Sequence, residues 1–344
     1  MTSSEKGARS APLLSLPLAL LLLLPAAAHG ARFRVKFATL APEGSTWMKV
    51  MRALEEDLKR ATGGGLRFRI YPGGVAGNES DVLRKMRLGQ IHAAGFTGVG
   101  LGKVLPEVRI FELPFLFRDY AEVDRVHREL EGHVERAFES KGYVLLGWAE
   151  VGFVHLFSQK PLRSRADLRG TKMWMWQGDP VAAATFKALG ASPIPLPVTE
   201  VLTSLQTGLV NTVYTSPLGA IALQWFTRTK FMSSFPLANG TGAVLMDKRR
   251  FDALPPEFGA VLRERARARL AELLKLTRRD NERAVAVLRG RGIRIVRPPD
   301  EREAEALAQV GRRAQQKLAG RLFPKELLER VRAILREHRR ASAR

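Results

Sequence analysis

The segment "YVLLGWAEVGFVHLFS", residues 143–158, decides the fold. It is apolar, β-branched or aromatic over far more positions than the five or six of an ordinary strand. Gly147 and Gly152 break it. A strand this long in an α/β chain often crosses between lobes, and 344 residues suffice for two domains of ordinary size or one large one.

The residues before it alternate strand and helix. "RFRVKFATL" (32–40) and "LRFRIYPGG" (66–74) read as strands. Between them "TWMKVMRALEEDLKRAT" (46–62) places Trp47, Val50, Met51, Leu54 and Leu58 at helical spacing. "NESDVLRKMRLGQ" (78–90) reads as a helix capped by Asn78 or Ser80. "IHAAGFTGVG" (91–100) reads as a short strand running into a glycine-rich turn. This β-α-β-α-β order predicts a parallel or mixed sheet with helices on both faces. A clear helix over 121–142 then leads into the long strand.

Beyond it, "TKMWMWQGDP" (171–180) is a short strand with two of the chain's five tryptophans, Trp174 and Trp176, on one side. Asp179 can cap and Pro180 can begin the helix that Gly190 ends. A second helix is predicted over 198–210, and a strand, a turn and an apolar helix over 211–226. A strand starting at Ala243 leads to a "LPPE" helix start, and one long helix runs over 259–290. A last strand at 293–298 and two helical patterns complete the chain.

The N-terminus reads as a targeting segment. An apolar run at 13–24 is followed at once by the small residues of "PAAAHGA", which predicts a signal peptide over 1–31 and an exported, soluble mature chain. There is no cysteine among the 344 residues, which excludes thiol catalysis, cysteine metal sites and a lipid-anchoring cysteine. The net charge of +22 first suggests nucleic acid. Export and the spread of the charge over helix faces argue against it. The dense run 330–344 reads as a solvated, arginine-rich helix end.

Catalytic spacing is missing. The six histidines form no HExxH or other metal pair, no GxSxG elbow occurs, and "GVGLGK" (98–103) fits neither nucleotide fingerprint. No enzyme, metal or cofactor is therefore expected. What the sequence offers instead is a set of residues at strand ends, where open α/β sheets bind ligands. Phe96 and Thr97 precede a glycine turn. Phe153, Val154 and His155 follow Gly152. Trp174 and Trp176 stand before Asp179, and Tyr214, Thr215 and Ser216 follow another strand.

Several landmarks occur in one order over nearly the whole mature chain: "FRVKFATLAPEGSTW", the "YPGG…AGNESDVLRKMRLGQIHAAG" segment, "ELPFLF", "LRGTKMW", "ALGASPIPLPVTEVLTSLQTGLVN" and "LPPEF". In these the chain resembles the extracytoplasmic, DctP-like solute-binding proteins of TRAP (tripartite ATP-independent periplasmic) transporters. The resemblance implies two α/β lobes, each a mixed sheet flanked by helices, joined by hinge strands and a long helix across both. Lobe 1 would comprise 32–151 plus 241–280, and lobe 2 would comprise 152–240 plus 281–344. It implies a periplasmic monomer that binds a small molecule between the lobes and delivers it to a TRAP permease driven by an ion gradient. Trp47, in the first landmark, joins the candidate ligand-binding residues.

The chain also departs from that pattern. The resemblance places a carboxylate-clamping arginine on the strand after "LRG", where this chain has Trp174, and a second after the hinge "GF", where it has Val154. The asparagine expected before the later "PL" is replaced by Thr215 and Ser216. A guanidinium grips a carboxylate through a bidentate charged pair, whereas tryptophan offers one N–H and a flat surface. The sequence thus predicts a ligand more apolar or aromatic than the family norm. A cation held over aromatic faces and an acid held by another arginine stay open, as do a lipid-binding or signalling subunit on this fold and a secreted enzyme on a similar scaffold.

Overall fold

The computed structural model describes residues 33–342; the expected signal peptide lies outside them. The first elements match the alternation: β1 (Phe33–Ala38), α1 (Thr46–Ala61), β2 (Leu66–Tyr71), α2 (Glu79–Arg87) and β3 (Ala93–Thr97). Asn78 caps α2 with a full capping box shared with Asp81. The glycine-rich stretch differs from expectation. Residues Gly98–Val104 form a short helix, α3, with Thr97 as its cap. The cap hydrogen bond and packing against β3 and β9 (Ala238–Asp247) outweigh the low helix propensity of glycine. A 3-10 turn (Pro106–Glu112) leads to α4 (Tyr120–Ser140).

The long strand is β4 (Tyr143–Ser158). It pairs antiparallel with β9 along most of its length, with register shifts at Leu145/Gly147 and Glu150/Gly152. β9 begins five positions before the residue that the apolar pattern marks, because "ANGTG" lacks large apolar side chains yet pairs through its backbone. The remaining strands are β5 (Trp174–Trp176), β6 (Ile194–Leu196), β7 (Thr212–Thr215), the unanticipated β8 (Phe231–Ser233) and β10 (Arg294–Val296). One mixed sheet runs β10-β8-β4-β9-β3-β1-β2, with β7 also on β4, while β5 and β6 form a small parallel pair. The early half of β4 therefore belongs to the β1–β3 lobe, and its late half to the β7–β8–β10 lobe. Gly152 sits at the crossing with φ +94, and a Cβ there would stand 2.5 Å from the Asn281 amide, so only glycine fits.

The intervening helices are α5 (Pro180–Leu189), α6 (Val201–Thr207), α7 (Pro217–Ala222) and α8 (Lys248–Asp252). Helix α9 (Pro256–Gly290) spans about 50 Å at 1.5 Å per residue. Its buried stripe recurs at helical spacing and serves both cores. Leu262, Ala266, Leu270 and Leu273 join the cluster under β1 and β2, and Leu288 joins the cluster around Trp225. Helix α10 (Glu301–Leu318) packs on α5. Helix α11 (Lys325–Ser342) does not follow it. Its buried Leu328, Val331, Ile334 and Leu335 share a cluster with Val123, Val126 and Leu130 of α4. The chain ends on the first lobe because α11 is amphipathic and α4 offers the matching apolar stripe.

Candidate functional site

Several chain segments that follow strand ends converge on one cavity of about 950 Å³, large enough for a small organic molecule. The first turn of α1 brings Trp47, and β3 ends in Phe96 and Thr97. The end of β5 brings Trp174, Trp176 and Asp179. Strand β7 supplies Tyr214 and Thr215, with Ser216 after it, and β4 supplies Val154. Phe153 and His155 do not line the cavity. Alternation along β4 turns them away: Phe153 packs against Tyr120 with ring centroids 4.8 Å apart, and His155 Nδ1 lies 2.9 Å from the Ser233 carbonyl. Burial pushes the His155 pKa down.

The aromatic wall centres on Trp174. Its ring stacks on Tyr214 at 4.7 Å, meets Trp225 edge-on at 5.1 Å and lies 5.8 Å from Trp176. Its Nε1–H donates to the Leu196 carbonyl at 3.0 Å. That bond uses the only donor of the side chain, so a ligand meets a ring face. Below it, Met173 is fully buried and packs with Phe186 and Leu189 of α5. Tyr214 Oη accepts from Trp176 N–H at 3.1 Å, and burial near Asp179 raises the Tyr214 pKa well above its usual value. Across the cavity the ring of Trp47 lies against Gly95, where a Cβ would collide with it.

Apart from Thr97, Thr215 and Ser216, the polar part of the wall was not found from sequence. Arg109, on the 3-10 turn, is 3% exposed. Its Nη2 donates to Asp179 Oδ1 at 2.9 Å, and its Nε lies 2.7 Å from Glu112 Oε2, although the N–H is not aligned with that oxygen. Asp179 Oδ1 also caps α5 through Val181 N–H at 2.9 Å, and Glu112 Oε1 accepts from Thr241 N–H at 2.9 Å. Burial works against the Arg109 charge, but Asp179 and Glu112 outweigh it and raise the pKa further. Burial raises the Glu112 pKa in spite of Arg109. Glu79 accepts from Thr97 N–H at 2.6 Å and Thr97 Oγ1–H at 3.0 Å. Burial, with Glu112 nearby, pushes its pKa up to about 7. Asn239 is 1% exposed and lines the cavity, and neither its Oδ1 nor its Nδ2 has a partner.

Sequence signals for these residues existed. Arg109 and Glu112 stand three apart inside an otherwise apolar stretch, which marks a buried ion pair. Asn239 lies in the polar start of β9, ahead of the apolar run that marks the strand in sequence. Trp225 lies on a 3-10 turn past the end of α7, where periodicity gives no face.

A two-lobed α/β sheet with a ligand-sized cleft at its strand ends defines the class of periplasmic solute receptors. Residues 37–318 match the model of the bacterial extracellular solute-binding protein family 7, DctP, and the chain belongs to that family. It is 30% identical over 290 residues to a solute-binding protein of Verminephrobacter eiseniae (strain EF01-2), covering 81% of this chain and 82% of that one. It is 28% identical over 251 residues to the 2,3-diketo-L-gulonate-binding periplasmic protein YiaO of Escherichia coli (strain K12), covering 71% and 75%. Its fold matches that of the sugar acid binding protein DctPAm of Advenella mimigardefordensis in complex with galactonate. The TM-score is 0.84 over 90% of this chain and 99% of that one, at 22% identity.

Proposed function

We propose that this TRAP-type solute receptor is exported by its first 31 residues, closes as a monomer around one small molecule that is more apolar or aromatic than a sugar acid, and delivers it to a membrane permease driven by an ion gradient. It performs no chemistry on the solute. The supporting observation is the state of the cavity's arginine. Arg109 is the sole basic residue lining the cavity among the described residues, and it is paired with Glu112 and Asp179. The positions where the family resemblance places clamping arginines hold Trp174 and Val154 in the same wall. An incoming carboxylate would have to displace a buried partner of Arg109, whereas an apolar ring needs only the faces of Trp174, Trp176 and Trp47.

A second reading keeps an organic acid on Arg109. It is favoured by the Nε–H of Arg109, which has no aligned acceptor, and by the sugar acids that relatives bind. Mass spectrometry of solute released from gently purified protein separates the two. An apolar or aromatic molecule supports the first reading. Recovery of a sugar acid, a C4-dicarboxylate or sialic acid overturns it in favour of the second.

A further inference from the structure

The chain carries a net charge of +22, but the cavity wall has the opposite balance. Five carboxylic side chains line it, Glu43, Glu79, Glu112, Glu150 and Asp179, against the one guanidinium of Arg109. Two of the five are balanced elsewhere. Glu43 pairs with Arg52 at the rim at 3.0 Å, and Glu150 pairs with Arg278 at 2.7 Å. The interior then holds Glu79, Glu112 and Asp179 around one Arg109. Glu79 has no ion-pair partner at all among the described residues; its contacts are N–H and O–H donors of Thr97 and the backbone of Gly100. Beside this group Asn239 presents an unpartnered carbonyl oxygen and an unpartnered amide, both out of solvent. Buried polar groups of that kind find partners in a working protein, and a ligand group in the cavity would supply one.

We propose that the solute bears a positive charge: an ammonium compound with an apolar or aromatic body, its cationic head held by Glu79, Glu112 and the Asn239 Oδ1, its body against Trp174 and Trp176. This rests on the aromatic-solute reading and adds the charge to it. The carboxyl groups supply acceptors for N–H donors, and aromatic faces attract a cation that has lost its water. A carboxylate head would instead meet three carboxyl groups, with Arg109 already engaged on two sides. A cation would favour the ionised form of Glu79, whose carboxyl has no basic partner among the described residues and is otherwise held toward its neutral form by burial.

Titration calorimetry on protein freed of copurified solute tests this with four probes: phenethylammonium, 2-phenylethanol, 3-phenylpropanoate and D-galactonate. Phenethylammonium is expected to bind best, by about tenfold or more over the carboxylate with the same phenylethyl body. Glu79→Gln and Asn239→Leu should each shrink that preference several-fold. If the alcohol or the phenylpropanoate binds as well as the ammonium, the charge assignment is overturned while the aromatic pocket stands. If D-galactonate binds more tightly than all three aromatic probes, both are overturned. Binding of none of the four at millimolar concentration also overturns the charge assignment.

Discussion

Arg109 Nη2 donates to Asp179 Oδ1 at 2.9 Å between side chains that are each 4% exposed, 70 positions apart in sequence. Arg109 belongs to the turn after β3 and α3, and Asp179 begins α5 beyond the crossing strand, so the pair ties the two sides of the cavity together. Removing one member of a buried pair leaves an uncompensated charge, at a cost of about 3–5 kcal/mol. Arg109→Met should therefore destabilise by about that amount in urea denaturation. Adding Glu112→Gln should restore part of it, because one of the two stranded carboxylates is gone. A single variant as stable as the parent would show that the pair is not buried in solution.

Trp174 carries both the pocket face and part of the core. Trp174→Ala removes the ring that stacks on Tyr214 and meets Trp225, and should cost about 3–5 kcal/mol. Trp174→Phe keeps an aromatic face and loses the bond to Leu196 O, which should cost about 1–3 kcal/mol. Ligand affinity per folded molecule should fall further for alanine than for phenylalanine. Equal affinities in the parent and both variants would assign the ring to the core alone.

Stability should depend on pH through Glu79. Its folded pKa, pushed up to about 7, lies above the ordinary value of 4.5. The contribution is thus fully present below about pH 4.5 and is lost as pH rises through 7. The full span is on the order of 3 kcal/mol. Comparing the parent with Glu79→Gln by thermal unfolding at pH 5 and pH 8 isolates this site, since Glu112, Arg109 and Asp179 stay in both. The parent should lose ground to the variant on going from pH 5 to pH 8. A constant difference would mean that Glu79 titrates normally.

The hinge offers a test remote from the ligand. Asn281 Nδ2 donates to the Val151 carbonyl at 3.0 Å, and its Oδ1 accepts from Leu218 N–H at 2.9 Å. One side chain of α9 thus joins the crossing strand to the start of α7. Asn281→Ala leaves both backbone groups unpaired and should cost about 1–3 kcal/mol for each group that water cannot reach. It should also shift the ligand-free protein toward an open form, read as a larger radius of gyration in small-angle scattering. An unchanged radius would mean that the latch does not govern closure.

Local pattern was enough for much of this architecture. Period 2 in β1 and β2, the long apolar run of β4, period 3.6 in α1 and α4, and the Asp179–Pro180–Gly190 punctuation of α5 depend on neighbours in sequence, and these elements appear where those signals stand. The two-lobed fold was implied by the family resemblance, in which the long strand suits the hinge. The glycine-rich α3 and the polar start of β9 were hidden because long-range backbone pairing and packing overrode local propensity. The side on which α11 docks was hidden too, since an amphipathic helix states that it has an apolar face but not which partner covers it.

The site divides in the same way. Trp174, Trp176 and Tyr214 could be placed at strand ends from sequence, and the cavity gathers them with Trp47, Phe96 and Val154. Phe153 and His155 fell on the wrong side of a strand whose face is set by its register with β9. The sequence by itself determined the elements and the loss of arginine at two positions. Only the tertiary structure decided the electrostatics of the cavity. Burial and pairing of Arg109, Glu112, Asp179, Glu79 and Asn239 depend on segments up to 160 residues apart in the chain, and a charge is felt through space rather than along the sequence.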